Sequence, residues 1–377
     1  MSEQNGKETS YDVVVIGGGQ AGLSVGYQLI RRGLSFVILD ANNKVGDAWR
    51  NRWDSLRLFT PARYSELAGM PFPAPPHSYP TKDEVADYLE AYAARFDLPV
   101  RTGIRVDKLS TQGDRFLISA GNLRFEADNV VVATGGYQGS AVPAFAPELD
   151  PNIVQLHSSE YRRPSQLQEG NVLVVGAANS GAEIALEVSR SHQTYLSGRH
   201  PGSEPTRAGS LTDRLVTPFI WFFLSRVLTV NTSFGRKMAL ELRSHGLPLA
   251  RVKPADLLAA GVERVFARTV GVQGGLPLLD DGRVLNVANV IWCTGFKPDF
   301  GWIDLTVVDD DGEPMHQRGV VATEPGLYFV GLFFQSAATS SLVGGVARDA
   351  AYIADQIAVR SSAMQLSPEV QKVSLSV

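Results

Sequence analysis

Two stretches of this chain repeat one pattern of apolar and polar positions. Val13–Ile16 is a run of β-branched residues, the pattern of a strand buried on both faces. Gly17, Gly19 and Gly22 follow, and Leu23, Tyr27 and Ile30 then recur at helical spacing up to Gly33, a helix stop. A second apolar strand, Phe36–Leu39, ends on Asp40. The same order returns in Val172–Val175, in GAANSG from Gly176 to Gly181, and in a helix carrying Ile184, Leu186 and Val188. A strand, Gln193–Leu196, then runs into Gly198 and Arg199. Each unit has a distant third strand: Val130–Ala133 closes on Thr134-Gly135-Gly136, and Val290–Cys293 on Thr294-Gly295-Phe296. Thr134 lies 117 positions after Gly17, and Thr294 lies 118 after Gly176. Matched spacing over that length predicts two copies of one nucleotide-binding architecture.

The segments between the copies have their own patterns. The chain after Asp40 is irregular up to Pro80 and dense in Pro, Gly and Arg from Pro61 to Pro80, yet Trp49, Trp53, Leu56, Leu58 and Phe72 give it much to bury. It reads as an ordered excursion: either the wall around a flat aromatic ring or a loop anchored by aromatics. Thr81–Phe96 is an amphipathic helix opened by a capping box, Thr81 with Glu84. Leu98–Ala127 alternates in short pieces and predicts a small antiparallel meander. Thr217-Pro218 looks like a helix start, and Phe219–Leu224 is apolar all round. A core helix, a dimer contact, a substrate entrance and a shallow membrane contact all stay open for it. Gly326–Leu332 reads as a buried strand returning to the first sheet, followed by a helix over Val346–Val359. The expected fold is α/β, with two dinucleotide-binding, Rossmann-type domains. Residues 1–165 and 296–377 form the first, 166–295 are inserted into it as the second, and each carries a small antiparallel meander.

Composition narrows the function. The 377 residues carry a net charge of −4 with no basic block, which argues against nucleic acid as a partner. Cys293 is the one cysteine, so there is no disulfide framework and no C-x-x-C pair. It sits in an apolar strand and reads as an inert core thiol. No His, Cys or carboxylate cluster has metal-ligand spacing. Met1–Ser10 is polar, unlike a signal peptide, and no apolar run approaches the ~20 residues that span a bilayer. The expected location is the cytoplasm.

The glycine turns carry the chemistry. In G-x-G-x-x-G, the first glycine allows a tight turn, the second lets a pyrophosphate approach the backbone, and the third lets helix and strand pack closely. The helix N-terminus offers unpaired N–H groups to the phosphates. Asp40 stands 23 positions after Gly17, and Arg199 stands 23 after Gly176. An acid at that offset accepts the ribose hydroxyls, whereas a cation suits a 2′-phosphate. His200 and Arg207 lie close by in sequence. The second unit is therefore expected to take NADPH, and the first a different dinucleotide, FAD. One departure is Ala178 in place of the middle glycine of the second turn.

With these residues in place the chain resembles the class B flavoprotein monooxygenases over nearly its whole length. The bacterial flavin-containing monooxygenase-like proteins and the plant YUCCA-type enzymes are the branches it is most similar to. The stretches that carry the resemblance are VVVIGGGQAGLS, VGDAWRNRWDSLRLFTP, VVVATGGY, LHSSEYR, VLVVGAANSGAEIA, VIWCTGF and GLYFVG. The resemblance implies bound FAD, NADPH as reductant, and dioxygen activated as a flavin C4a-peroxide. The substrate implied is a small organic molecule that gains one oxygen atom. It maps the flavin-flanking loop onto Gly46–Thr60, and makes Trp49 and Thr60 the candidate catalytic positions. The candidate cofactor-binding residues of the first unit are Gly17, Gly19, Gln20, Ala21, Gly22, Asp40, Gly46, Trp49, Val106, Ala133, Thr134, Gly135 and Gly331. Those of the second are Gly176, Asn179, Ser180, Gly181, Arg199, Thr294 and Gly295. Of the family fingerprint, His157 and Tyr161 are present, while Pro151 and Ile153 stand where its F-x-G is expected. Tyr161-Arg162 differs from the Trp-Pro or Trp-Asp of Baeyer–Villiger enzymes, which favours heteroatom or keto-acid oxygenation. By itself His157 reads first as a hinge or core residue. Two other functions are compatible with the sequence. One is a flavoprotein reductase or oxidase passing electrons to a quinone, ferredoxin or dioxygen. The other is a non-catalytic nucleotide-binding redox sensor.

Overall fold

A computed structural model describes residues 9–245 and 247–374; of the polar opening Met1–Ser10, residues 1–8 lie outside the described residues. The first sheet starts from β1 (Thr9–Ile16), whose Val13 and Val15 enter one apolar cluster and Val14 and Ile16 another. A strand buried on both faces needs no alternation, which is why its sequence is a continuous apolar run. Helix α1 (Gln20–Ile30) leads to β2 (Phe36–Leu39), which pairs parallel with β1. The short α2 (Asp47–Arg50) and the irregular excursion precede α3 (Lys82–Arg95), which begins with the Thr81–Glu84 capping box. β3 (Val100–Arg101), β4 (Lys108–Gln112), β5 (Arg115–Ala120) and β6 (Leu123–Val132) follow. The order is β3-β2-β1-β6-β5-β4, with β5 antiparallel to β4 and β6. Val130 does not begin a strand of its own. It continues β6, one strand of 10 residues, because Leu123–Val132 pairs with β5 on one side and β1 on the other.

The second sheet is built the same way. It contains β8 (Val154–His157), β9 (Val172–Val175), β10 (Thr194–Ser197), β11 (Glu263–Val265) and β14 (Asn289–Trp292), in the order β11-β10-β9-β14-β8, all parallel. Helix α4 (Asn179–Val188) joins β9 to β10. β8 lies upstream of the boundary expected at 166. It is a four-residue edge strand with one buried residue, too short and too wet to show a period. The hairpin of β12 (Thr269–Gln273) and β13 (Leu276–Leu279) sits beside this sheet as a separate antiparallel pair. Between the sheets, β7 (Gly139–Ser140) and β15 (Phe296–Lys297) pair antiparallel, so the two chain crossings are tied together.

The connection after β10 holds α5 (Leu211–Phe222), α6 (Ser233–His245) and α7 (Pro254–Ala259). The helix start expected at Thr217-Pro218 is displaced. α5 begins at Ser210, whose hydroxyl accepts from the Asp213 N–H, and Pro218 lies inside the helix. A capping serine is a stronger start signal than a proline that can be absorbed as a bend. The helix passes into a five-residue π turn, Phe223–Val227. β16 (Leu327–Phe329) then returns to β6, and α8 (Ala347–Ser374) packs against α1, running well past the expected Val359.

Register places the site. Ile16 pairs with Leu39 and Val132, and Val132 with Phe329, so β1, β2, β6 and β16 end together. Val175 pairs with Ser197 and Trp292, and Trp292 with His157, so the second sheet ends in the same manner. The residues that leave these carboxyl ends are the glycine turns, Asp40 and the two Thr-Gly crossings, where open α/β sheets bind ligands.

Candidate functional site

The two glycine turns agree closely in backbone geometry. Gly17 has φ +110 and Gly176 φ +103, a region that disfavours side chains. A Cβ on Gly17 would stand 2.6 Å from the Ala133 carbonyl oxygen, and one on Gly176 would stand 2.3 Å from that of Cys293. A Cβ on Gly22 would lie 1.9 Å from the Gly17 oxygen, and on Gly181 1.8 Å from the Gly176 oxygen. The residue before each helix has the same backbone: φ −79, ψ −170 at Gly19 and φ −78, ψ −171 at Ala178. This conformation is extended, so Ala178 fits it without strain. A Cβ on Gly19 would meet nothing within 4 Å, and that open side is the approach a pyrophosphate needs.

Helix capping separates α1 and α4 from the longer helices α3 and α5. α3 and α5 each begin with a side chain that accepts a first-turn N–H, from Thr81 and Ser210. α1 and α4 have no such cap. Orphan donors at a helix start, with the positive end of the dipole behind them, form an anion site. Both turns therefore fit the diphosphate of a dinucleotide.

Around the first turn the structure gathers most of the expected residues. Asp40 is 7% exposed; its Oδ2 accepts the Gly18 N–H at 2.6 Å and its Oδ1 the Asn42 N–H at 2.7 Å. It therefore braces the turn. Ile104 donates to the Asp40 carbonyl at 2.8 Å, which brings the half-buried Val106 segment alongside. Gly331, φ +89, leaves β16 so close to α1 that a Cβ there would stand 2.8 Å from that of Ala21. Ala133 donates to Ile16, and Thr134 accepts from the Gln138 amide. Gly135 takes φ +71.

The excursion reaches the same place. The Trp49 indole N–H donates to Gln20 Oε1 at 3.3 Å, and the ring packs against apolar clusters of both sheets. Gly46 owes its identity to packing: it has φ +91, and a Cβ would lie 2.6 Å from the Ala86 carbonyl oxygen on α3. The Thr60 hydroxyl is engaged with Ser65 Oγ at 2.8 Å, within its own loop.

In the second unit the Asn179 side chain is engaged within the protein. Its amide donates to the Pro248 carbonyl at 3.0 Å and accepts the Ala250 N–H at 3.0 Å, so the side chain pins the 248–250 segment beside the turn. Ser180 is half-buried and Arg199 is exposed at the end of β10. His200 and Arg207 are occupied elsewhere: His200 Nδ1 accepts from Gly202 and Arg207 pairs with Asp256. Thr294 Oγ1 donates to the Ala141 carbonyl at 2.5 Å, and Gly295 takes φ +90.

His157 and Tyr161 are structural. His157 is 1% exposed, and its Nε2 meets the Gly295 carbonyl at 2.9 Å, so Nε2 carries the proton and Nδ1 faces Ser159 Oγ at 2.8 Å. Burial lowers its pKa and keeps the ring neutral. Tyr161 is fully buried and donates to Glu187 at 2.8 Å, while burial raises its phenol pKa. The Cys293 thiol is pushed up to about 12 by burial, as an inert core thiol should be.

Sequence reasoning missed three charged groups. Arg52 lies 5.6 Å from the Tyr137 ring and 5.2 Å from that of Phe296, where the two crossings meet. Burial lowers its pKa, and its Nε donates to the Ala48 carbonyl at 3.2 Å. Arg264 donates to the Leu196 and Gly198 carbonyls at the end of β10. Glu183 on α4 pairs with Arg251 at 3.2 Å, and burial raises its carboxyl pKa to about 7. No short-range motif marks these positions; Arg264 finds its partners 66 and 68 positions away. Among the described residues no group of three or more His, Cys, Asp or Glu could hold a metal ion.

Twin uncapped glycine turns leave the carboxyl ends of parallel strands in two sheets, the arrangement that suits a dinucleotide. The chain belongs to the family described as pyridine nucleotide-disulphide oxidoreductase, which matches residues 14–231. It is 40% identical to the "uncharacterized oxidoreductase CzcO-like" of Geobacillus kaustophilus, covering 92% of this chain and 98% of that one. It is 30% identical to the probable indole-3-pyruvate monooxygenase YUCCA3 of Arabidopsis thaliana, over 92% and 86% of the two chains. Among solved structures it is similar to the flavin-containing monooxygenase from Stenotrophomonas maltophilia. That match has a TM-score of 0.75 and 31% identity, covering 94% of this chain and 99% of that one. The mixed α/β fold is thus that of the flavin monooxygenases.

Proposed function

We propose that this protein is an FAD-dependent, NADPH-consuming monooxygenase that places one oxygen atom from dioxygen on a small organic substrate. The observation that carries the reading is the pair of uncapped glycine turns with Trp49 between them, bonded to the first through Gln20 and packed toward the second sheet. FAD, when bound, supplies the redox and oxygen chemistry; the chain's task is to hold, orient and shield. In this reading the first turn, Asp40, Val106 and Gly331 hold FAD. The second turn holds NADPH, with Arg199 at its 2′-phosphate. The labour divides as the sheets do, with residues 1–165 and 296–377 for FAD and 166–295 for NADPH, apart from β8. Trp49 and the Leu56–Thr60 loop form the wall that keeps water from the reacting centre. Thr60, already bonded to Ser65, acts by shaping this wall. The similarity to flavin monooxygenases supports oxygenation over simple electron transfer, and a lone buried cysteine offers no dithiol exit for electrons.

The test uses purified protein, NADPH and isotopically labelled dioxygen, with a panel of sulfides, amines, indoles and 2-keto acids. A yellow protein with one FAD per chain, and a product carrying one labelled oxygen, is the expected result. Stoichiometric hydrogen peroxide with every substrate would assign the chain to the reductases or oxidases. A colourless protein that cannot be reconstituted with FAD would remove the flavin reading itself.

A further inference from the structure

Helix α5 carries Leu211, Leu215, Phe219 and Phe222 at the spacing of a single helical face. That face points away from the protein: the four side chains are 76%, 72%, 76% and 62% exposed. Phe223 continues it, and its ring centroid lies 6.5 Å from that of Phe234 on α6. The other side of the helix is held down. Trp221 stacks on Tyr64 with centroids 4.9 Å apart, and the Tyr79 hydroxyl donates to Asp213 at 2.5 Å. The apolar stripe is therefore fixed outward by packing on its back. Four exposed cations lie in the same segment of chain, on α5, the π turn and α6: Arg214, Arg226, Arg236 and Lys237. Of the acids in residues 211–241, Asp213 is buried and bonded to Tyr79, which leaves Glu241. This local excess of positive charge stands on a chain whose net charge is −4.

We propose that this face rests on an anionic lipid surface, with the leucines and phenylalanines at the acyl boundary and the cations among the headgroups. An apolar stripe flanked by Arg and Lys is the pattern of a helix lying in the membrane interface. No helix among the described residues is long and apolar enough to cross a membrane, so the contact is a surface one. The same charges disfavour a second copy as the occupant. A two-fold contact brings the patch against its own copy, and two regions with the same excess of positive charge would then be held close together.

The experiment is flotation of the FAD-loaded full chain with vesicles of phosphatidylcholine alone or mixed with phosphatidylglycerol, alongside light scattering. The wild type is expected to float with the mixed vesicles and to be released by salt. Phe219→Ser with Phe222→Ser should abolish flotation while FAD content and thermal midpoint stay at wild-type values. Arg226→Gln with Lys237→Gln keeps the apolar stripe intact. It should weaken binding to the mixed vesicles roughly 25-fold, about fivefold per cation, and leave binding to phosphatidylcholine unchanged. Wild-type protein that stays in the buffer with both vesicle types overturns the proposal. So does equal binding to both, and so does a wild-type dimer that the phenylalanine pair converts to monomer.

Discussion

The two glycine turns are one device built twice, and they differ where a cofactor would be told apart. Their backbone angles agree within a degree before the helix, and at both third glycines an added Cβ would stand less than 2 Å from a carbonyl oxygen. Their second strands then part. β2 ends on Asp40, buried and bonded to its own turn, while β10 runs into Arg199, exposed and turned to solvent. Seven positions after the first glycine the helices differ again: α1 has buried Ser24, and α4 has Glu183 paired with Arg251. The lesson is that a phosphate cradle is set by backbone geometry and tolerates little change. The side chains around it are free to diverge, and it is there that Asp40 and Arg199, and Ser24 and Glu183, differ.

The largest test of the equivalence is a methyl group in each cradle. Gly22→Ala and Gly181→Ala must each push a helix off its strand, at a cost of roughly 3 kcal/mol or more. Gly22→Ala is expected to purify without FAD or not to fold. Gly181→Ala is expected to stay yellow, melt earlier and lose NADPH binding measured by titration. A Gly181→Ala protein with wild-type NADPH affinity would show that the second turn is no cradle.

The next test uses Glu183, which has no acidic counterpart on α1. Its carboxyl pKa is raised to about 7 from 4.5, so the folded state holds a proton that the unfolded chain has released. The stability from this group is complete below about pH 4.5 and is lost as pH rises toward 7 and beyond. The contribution amounts to as much as about 3 kcal/mol. Thermal melts from pH 5 to 8 should show this fall in wild type and a flatter profile in Glu183→Gln. Identical profiles would mean the carboxyl is ionised throughout.

The rim cations give a finer distinction. Arg199→Ala should weaken NADPH ten- to a hundredfold, the value of a hydrogen bond to a charged group, about 1.5–3 kcal/mol. NADH binding should hardly move. Arg52→Gln, at the meeting of the two crossings, is expected to weaken NADPH and NADH alike, because Arg52 lies against the Tyr137 and Phe296 rings and away from Arg199 at the end of β10. Equal losses in Arg199→Ala would make that arginine structural.

The smallest expected effect belongs to the wall that both turns share. Trp49→Ala should leave FAD bound and cost about 1–2 kcal/mol of stability, since the ring is only half-buried. It should raise hydrogen peroxide released per NADPH oxidised severalfold. An unchanged ratio in a peroxide assay would remove Trp49 from the wall.

Much of this was legible because it is local. A glycine at positive φ, a β-branched run buried on both faces and a 3.6-residue period are properties of a few consecutive residues. The sequence alone therefore determined both turns, both central strands, Asp40 and Arg199 at equal offsets, and the cap at Thr81. The tertiary structure decided what distant residues do to one another. It engaged Asn179 with the 248–250 segment, locked His157 onto Gly295 across 138 positions, and drew Val154–His157 into the second sheet. It set Arg52 between Tyr137 and Phe296, and it turned the apolar stretch Phe219–Leu224 outward at Phe219 and Phe222. The physical reason is that hydrophobic pattern fixes which face of an element seeks burial only when a partner is available. Which partners meet depends on how the sheets and crossings close, and no window along the chain contains that information.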